Sequence, residues 1–485
     1  MNIFDDLKKM RFYTYFQQIS AIPRSSGNEQ SISDYIVRFA QEHRLEVRRD
    51  NKLNVMIKKQ ATSGYESALP VIMQCHMDMV CEKETDSDHD FTKDPIVPVE
   101  QDGVLMTSGT TLGADNAIGM SYILSILEDK TLPHPPIEAI FTASEEVGME
   151  GMANLDIAWL NGERMINLDS EKEGVVFSSC AGGIRYYLKL PVSMQQRMPG
   201  AVPYTLTIDG LEGGHSGLDI DKGHGNSIVL LARLISKLKN KFSIQMSRIS
   251  GGSKANAIPR DAFATVWFTA DIAERVKEEC KQFQSDLKRE YALKEPQLSI
   301  LIEPTAQSDL LVLSENSLED ILASILLAPN GVLAYSSHLQ GVVEVSSNIG
   351  IVELQKDCML ITGLIRSNNN EKIQDIMERF RYLSKLLNAE FNTGNDYPAW
   401  EFKEDSKLRR LCCDVYKEMF ESDMQVASIH GGLECALMLG KNSNMDMVSI
   451  GPDLFDVHTT KEHVDIASLM RTWNYLIKLL RTMVI

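Results

Sequence analysis

No run in the 485 residues approaches the ~18 consecutive apolar side chains that a membrane helix needs. The longest candidates, such as Ile228 to Ile235, are short and carry Arg233. The first residues, Met1-Asn-Ile-Phe-Asp-Asp-Leu-Lys-Lys, put acids and bases where a signal peptide would put its apolar stretch, so a cytoplasmic protein is expected. Positive charge is scarce: 49 Lys and Arg face 67 Asp and Glu, a formal net charge of −18, and no basic cluster is present. That composition argues against nucleic acid as a partner, because a grip on the phosphate backbone needs clustered Lys and Arg. Cysteine is sparse too, with eight scattered residues and no Cys-x-x-Cys spacing. Adjacent Cys412 and Cys413 are poorly placed to bridge each other, so all eight read as reduced thiols that fill the core. The 23 methionines do not cluster with them, which argues against a soft-metal site. Low-complexity segments are absent. What remains is an acidic chain with 44% hydrophobic residues, ample for more than one core and two to four domains, whose expected partners are small substrates or other proteins.

The first third alternates short apolar runs with helical periodicity, the pattern of an α/β layer fold. Ile32, Tyr35, Ile36, Phe39 and Ala40 fall on one face of a helix over Ser31 to His43. Apolar runs at Leu53 to Ile57, Leu69 to Cys75, Ile137 to Ala143 and Met165 to Leu168 read as buried strands, and Asn116 to Asp129 as the helix between two of them. Composition shifts near residue 183. From there to about residue 390 one order of elements can be written twice, strand, helix, two strands, helix, first over 204–292 and again over 297–388. Each copy is a βαββα-like unit. Asn392 to Pro398 reads as a turn-rich connection, after which α/β alternation resumes with a strand at Met445 to Ile450 and a helix at Asp465 to Met483. The expected organisation is therefore an α/β catalytic domain with a mixed sheet, residues 1–182 and 398–485, interrupted by an α+β domain, residues 183–397.

Ligand-type residues gather where these strands stop. The run Val71 to Cys75 ends at His76-Met-Asp78, Ile137 to Ala143 at Ser144-Glu145-Glu146, Met165 to Leu168 at Asp169, and Met445 to Ile450 leads on to His458. The loop Gly109-Thr-Thr-Leu-Gly-Ala-Asp115-Asn116 ends where a helix begins. Open α/β sheets bind their ligands at the carboxyl ends of strands, and imidazole with carboxylate is the donor set of zinc and its neighbours. Singly, each residue has an ordinary use: a hydrogen-bonded histidine, a solvated acid, an Asp capping a helix. Jointly they differ, because carboxylates packed at one sheet edge repel one another unless a cation lies between them.

On His76-x-Asp78, Gly113-Ala-Asp115-Asn116, Glu145-Glu146, Asp169 and His458 the chain resembles the two-zinc exopeptidases that include glutamate carboxypeptidase, aminoacylase and the carnosinases. His76 to Val80, His89 to Pro95, Thr110 to Asn116, Cys180 to Gly183, Asn256 to Arg260 and Met445 to Pro452 resemble the branch of bacterial aminoacyl-histidine dipeptidases more closely. The resemblance covers essentially the whole chain. It implies that Asp115 bridges two divalent ions, with His76 and Asp169 completing one and Glu146 and His458 the other. Zinc is the expected metal, and cobalt or manganese also suit the donors. Glu145 would be the general base that takes a proton from a metal-bridging water, and Asp78 would orient His76. The Asp115–Asn116 peptide would be cis.

By the same resemblance residues 183–397 form a lid about twice as long as the simplest ones, of the kind whose doubled length imitates contacts that simpler relatives take from a partner subunit. The subunit count is left open, with a homodimer as the candidate assembly. His215, in Gly213-Gly-His-Ser-Gly217, matches the lid histidine that hydrogen-bonds the tetrahedral oxyanion. Arg366 is the candidate fork for a dipeptide's carboxylate, Asn256 a candidate for the same end, and His430-Gly431 the start of a glycine loop lining the substrate cleft. His89, His134, His224, His338 and His463 read as structural. An aspartate at position 169 matches the dipeptidases and aminopeptidases rather than the carboxypeptidases and deacylases. The expected activity is hydrolysis of Xaa-His and related dipeptides such as β-alanyl-histidine. An N-acyl amino acid amidohydrolase with the same metals is the alternative among enzymes, and a metal-bearing protein without catalysis is the alternative outside them.

Overall fold

The computed structural model describes residues 3–306 and 310–484. Two compact units divide the chain: Met1–Ser179 with Phe402–Ser428 and Leu433–Ile485, and Cys180–Glu401 with Ile429–Gly432.

Among the described residues the first unit carries an eight-stranded mixed sheet, in the order Glu46–Arg49, Val55–Lys59, Ile137–Thr142, Val71–His76, Arg164–Asn167, Asp446–Ser449, Val175–Cys180, Gln425–Ile429. Its centre is parallel: Val71–His76 runs with both Ile137–Thr142 and Arg164–Asn167, and Asp446–Ser449 runs with Arg164–Asn167. Every residue of Val71–His76 and of Ile137–Thr142 is buried. That is why these strands read as unbroken apolar runs: a parallel strand covered on both faces has no polar side to alternate with. Parallel pairing also puts the carboxyl ends of the strands on one edge, with His76 opposite Thr142 in register.

Helix Ala114–Glu128 lies behind this edge, buried along nearly its whole length and apolar on every side, as a helix wedged inside a core must be. Helices Arg11–Ser20, Gln30–Glu42, Lys407–Phe420 and Ile466–Thr482 are amphipathic and complete the core, with Phe12, Tyr122 and Trp473 packed ring against ring. A small sheet that sequence patterning did not reveal joins Leu454–Phe455, His463–Asp465, Val104–Met106 and Val99–Gln101. The first two strands form a hairpin, and the residues between them include His458.

The second unit is an antiparallel sheet, nine-stranded among the described residues, with helices Ser227–Lys241, Ala273–Tyr291, Glu315–Leu326 and Asn370–Leu386 sharing one core with it. Burial alternates along Ala201–Asp209, as in a sheet with one covered face. The doubled order of elements is present, but each half is one strand longer than its sequence pattern. Ser299–Pro304, which in sequence order opens the second copy, pairs instead with Ala201–Asp209 and closes the first half. Gly182–Pro191 supplies the second half's missing strand, between Cys358–Ser367 and Glu390–Tyr397. Both halves are thus βαββαβ units. They meet through two residue pairs, Ser250 with Glu353 and Gly251 with Val352.

Glu390–Tyr397 corrects the expectation of a turn at Asn392 to Pro398. Its Asn and Gly residues follow a strand because an edge ladder to Gly182–Pro191 overrides their weak β propensity.

One close approach in the first unit fixes how far its central helix can stand from the sheet. A Cβ on Gly119 would meet the capping Asn116 Oδ1 first, and would lie 2.9 Å from Cys75 Cβ and 3.0 Å from the Leu168 carbonyl oxygen. Gly119→Ala must therefore push the helix off the strands that end at His76 and Asp169. A loss of about 1–3 kcal/mol in urea denaturation is expected, the usual cost of overpacking; wild-type stability would show that the helix has room to spare.

Candidate metal centre and its supporting loops

His76, last residue of the central strand, is buried, and its Nε2 lies 2.8 Å from Asp115 Oδ1 and 3.5 Å from Asp169 Oδ1. His458 Nε2 lies 3.2 Å from the other oxygen of Asp115, Oδ2, and 3.1 Å from Glu146. One carboxylate thus turns its two oxygens toward two histidines, each accompanied by one further acid. Ligand atoms of His76, Asp115 and Asp169, of Asp115, Glu146 and His458, and of His76, Glu145 and Glu146 each fall within 4.8 Å of one another. Among the described residues, none of the five remaining histidines named as structural joins such a group.

Asp115 takes up this role because its backbone departs from the helix that nominally contains it, with φ −81° and ψ 106°. The peptide that follows it is cis, as the resemblance implied. Asn116, not Asp115, caps the helix: its Oδ1 accepts the Gly119 N–H at 3.0 Å. The Asn116 Nδ2 donates to Asp169 Oδ1 at 2.6 Å and so aims that carboxylate as well.

The electrostatics follow from burial. It pushes Glu145 well above the usual carboxylate range, with the charges of Asp169, Glu146 and Glu434 adding to it, and raises Glu146 in the same sense. Asp169 is pushed up to about 6 by burial, with Asp115 and Glu146 reinforcing and His76 opposing. Asp115 is also penalised by burial, but His76 and His458 hold it below the usual range. Against burial, hydrogen bonds to Asp115 and Glu146 drive His458 up to about 11. Each histidine is thereby asked to act as the cation for several acids. Nitrogen and oxygen donors in two groups of three, sharing one carboxylate, suit a divalent ion in each, and such ions would relieve the crowding directly.

Asp78, expected to orient His76, is fully buried. Its carbonyl oxygen lies 3.1 Å and its Oδ1 3.5 Å from His76 Nδ1. Its carboxylate also accepts the backbone N–H groups of Glu145 and Glu146, at 3.0 and 3.2 Å, and the Ser26 hydroxyl at 2.8 Å. Burial raises its pKa, but the hydrogen bonds from His76, Ser26 and Glu145 outweigh it and keep the carboxyl below its ordinary value. Asp78 therefore ties the strand-end histidine to the loop that carries the two glutamates.

Two further residues were invisible to motif reading. Buried Arg24 donates to the carbonyl oxygens of Met77 at 3.0 Å, of Asp78 at 2.8 Å, and of Gly113. Glu462 accepts the N–H groups of Leu112 and Gly113, both at 2.9 Å, and faces that of Asp115 at 3.4 Å. Neither points a side chain at the donor cluster, so neither belongs to a ligand pattern. Nothing in the sequence marks them, since the residues on either side of each are half-buried or exposed.

The second unit assembles a separate polar cluster. His215 lies on a two-residue strand paired with Ala257–Ile258, and the next residue, Ser216, donates its N–H to the Asn256 carbonyl at 2.9 Å. His215 Nδ1 accepts from Leu218 N at 3.1 Å and Gly217 N at 3.3 Å, which fixes the ring from its Nδ1 side. Gly217 is required there, since a Cβ would meet the His430 carbonyl and sit 3.1 Å from His215 Cε1. Arg366 is buried, with Nη2 3.2 Å from His215 Nε2 and Nη1 donating to the Tyr397 hydroxyl at 2.6 Å. His430 Nε2 pairs with Ser346 Oγ at 2.8 Å; burial and the nearby Arg366 and His215 charges lower its pKa to about 3. The Asn256 residue is exposed, and a Cβ on Gly431 would make only ordinary van der Waals contact, at 3.8 Å from Ile429 and Leu218. Tyr397 escaped notice because its segment was read as a turn.

Removing Arg24 should act through the backbone. Arg24→Met leaves the buried Met77 carbonyl without its guanidinium donor, while the Asp78 and Gly113 carbonyls keep His76 Nδ1 and the Ala117 N–H, so a loss of about 1–3 kcal/mol is expected in denaturant unfolding. A loss below about 1 kcal/mol would show that water replaces the guanidinium.

The profile of Peptidase family M20/M25/M40 matches residues 72–482. The cytosol non-specific dipeptidase of Escherichia coli is 37% identical over 481 residues, 99% of each chain. The crystal structure of aminoacylhistidine dipeptidase from Vibrio alginolyticus superimposes with a TM-score of 0.88 at 35% identity, over 99% of this chain and 98% of that one. Human carnosine dipeptidase 1, at 11% identity with a TM-score of 0.52 over 99% and 98% of the chains, shares the fold. No described helix is long and apolar enough to cross a membrane.

Proposed function

The chain belongs to peptidase family M20/M25/M40 and is a dipeptidase, a hydrolase of peptide bonds, and on that premise we propose that it cleaves unblocked dipeptides, Xaa-His and β-alanyl-histidine among them, with two divalent ions bound in its first unit. The observation that carries the metal reading is Asp115, whose two oxygens face two histidines, each with one further carboxylate. His76 and Asp169 would hold one ion and Glu146 and His458 the other, with Asp115 available to both; zinc is the first choice, with cobalt and manganese compatible with the same donors. The first unit is thus the catalytic domain and the second the lid. One relative is named for breadth and another for histidine, which supports a dipeptidase of wide side-chain range that includes Xaa-His. The cytosolic relative supports a cytoplasmic location.

Two divalent ions in such a site polarise the scissile carbonyl and acidify a water. The remaining work falls to side chains. Glu145, half-buried beside the ligand groups and placed by Asp78 through its backbone N–H, takes the proton of the attacking water and delivers it to the leaving amine. Asp78 fixes the tautomer and orientation of His76 from its Nδ1 side. His215, its ring fixed from the Nδ1 side, donates to the carbonyl oxygen as negative charge develops there. Arg366 adds positive charge beside it and grips the substrate carboxylate, with Asn256 and the His430-Gly431 loop lining the same cleft.

A dipeptide panel assayed with and without chelator tests the reading. Turnover of free dipeptides that is lost on chelation and regained with zinc is expected, with N-acetylated dipeptides refused; hydrolysis of the N-acetylated set in preference would turn the assignment to an N-acyl amidohydrolase. Glu145→Ala should keep its metals and fold while kcat falls ~10²–10⁴-fold; a wild-type rate would move the base elsewhere. His215→Ala should lower kcat by roughly 10²–10³-fold with KM changed less, whereas Arg366→Ala should raise KM. Metal loss in the His215 variant, or an unaltered kcat, would contradict its role.

A further inference from the structure

Glu29 is buried, with 2% of its surface exposed, and has no basic side chain paired with it among the described residues. Its charge is met instead by three hydrogen bonds converging on one oxygen: Oε1 accepts the Ser144 N–H, the Ser144 hydroxyl and the Gly27 N–H, each at 3.0 Å. Ser144 immediately precedes Glu145 and stands in the left-handed region at φ 54°, a conformation that a non-glycine residue holds only when its surroundings enforce it. The next two N–H groups, of Glu145 and Glu146, go to Asp78, whose carboxylate is in turn held by Ser26. Three consecutive backbone donors of the glutamate loop are therefore bound by two buried carboxylates, and both are tied to the short segment Arg24–Glu29. Arg24, at the other end of that segment, holds the carbonyls of Met77 and Asp78.

We propose that Glu29 is a positioning residue for the catalytic base: by clamping Ser144 in its left-handed turn it sets the direction in which Glu145 leaves the sheet edge. The inference rests on the reading of Glu145 as the base. It does not require Glu29 to touch substrate or metal. Misplacing a catalytic group by about 1 Å can cost on the order of 10²-fold in rate, so the clamp has a kinetic consequence beyond stability. Because all three hydrogen bonds use one oxygen, a glutamine carbonyl can replace the carboxylate, whereas alanine cannot.

The test compares Glu29→Ala, Glu29→Gln and Ser144→Val in the zinc-loaded enzyme, with kcat, KM, metal content and thermal unfolding measured for each. Glu29→Ala should lose about 10–100-fold in kcat with KM within about threefold and both metals retained, and Glu29→Gln should recover most of that loss. Ser144→Val, whose β-branched side chain is excluded from the left-handed region, should reproduce the alanine phenotype and decides the matter if Glu29→Ala does not fold. A wild-type kcat in Glu29→Ala or Ser144→Val, a glutamine variant as impaired as alanine, or a rate loss that tracks metal loss would overturn the proposal. Glu145→Ala run in parallel separates the two readings. If it turns over normally, the base assignment itself falls; if it is inactive while Glu29→Ala is normal, only the clamp falls.

Discussion

Buried carboxylates that face one another are the constraint on which the first unit is built. Asp115, Glu145, Glu146 and Asp169 meet at the carboxyl edge of parallel strands, where burial works against all four charges and leaves three of them above the usual carboxylate range. Left to themselves such groups protonate or move apart. The protein offers them two imidazoles and a web of backbone hydrogen bonds, and a donor arrangement in which one acid is shared between two sets of three. The surrounding structure opposes dispersal: Gly119 lets the central helix press against the strand ends, Asn116 aims Asp169, and Arg24 and Glu462 hold the loops before and after.

How much of this was legible in the sequence follows from what each element is made of. Val71–His76 and Ile137–Thr142 are covered on both faces, so they appear as apolar runs, and the residue types that stop them are conspicuous. His76, Asp115, Glu146, Asp169 and His458 were nominated in this way, and the structure brings all five together. Residues that act through the backbone left no such mark. Arg24, Glu29 and Glu462 speak to N–H and C=O groups of loops remote in sequence, a relation with no periodicity and no fixed spacing. Tyr397 was hidden for a different reason: Asn, Gly and Pro around it signal a turn, yet pairing with Gly182–Pro191 makes the segment a strand and carries its hydroxyl to Arg366. The second unit was legible in the order of its elements but not in their pairing, because which strand closes a half is settled across the sheet, as between Ser299–Pro304 and Ala201–Asp209.

The division of labour between the units is chemical as well as architectural. The first concentrates acids and imidazoles in the donor pattern of divalent ions. The second collects His215, Arg366, Tyr397 and His430, groups that donate hydrogen bonds or carry positive charge, and holds the His215 ring at Nδ1 by two backbone N–H groups. A reaction that builds negative charge on a carbonyl oxygen and releases an amine needs both kinds of surface. Membership of the peptidase family and this complementarity of the two clusters support the same reading from independent directions.

Anomalous scattering from crystals grown with zinc tests the central claim most directly. Two peaks roughly 3.5–4 Å apart are expected, the usual spacing of a co-catalytic pair. Both should lie within bonding distance of Asp115, one shared with His76 and Asp169 and the other with Glu146 and His458. A fully occupied metal elsewhere, with these five side chains unligated, would contradict the account.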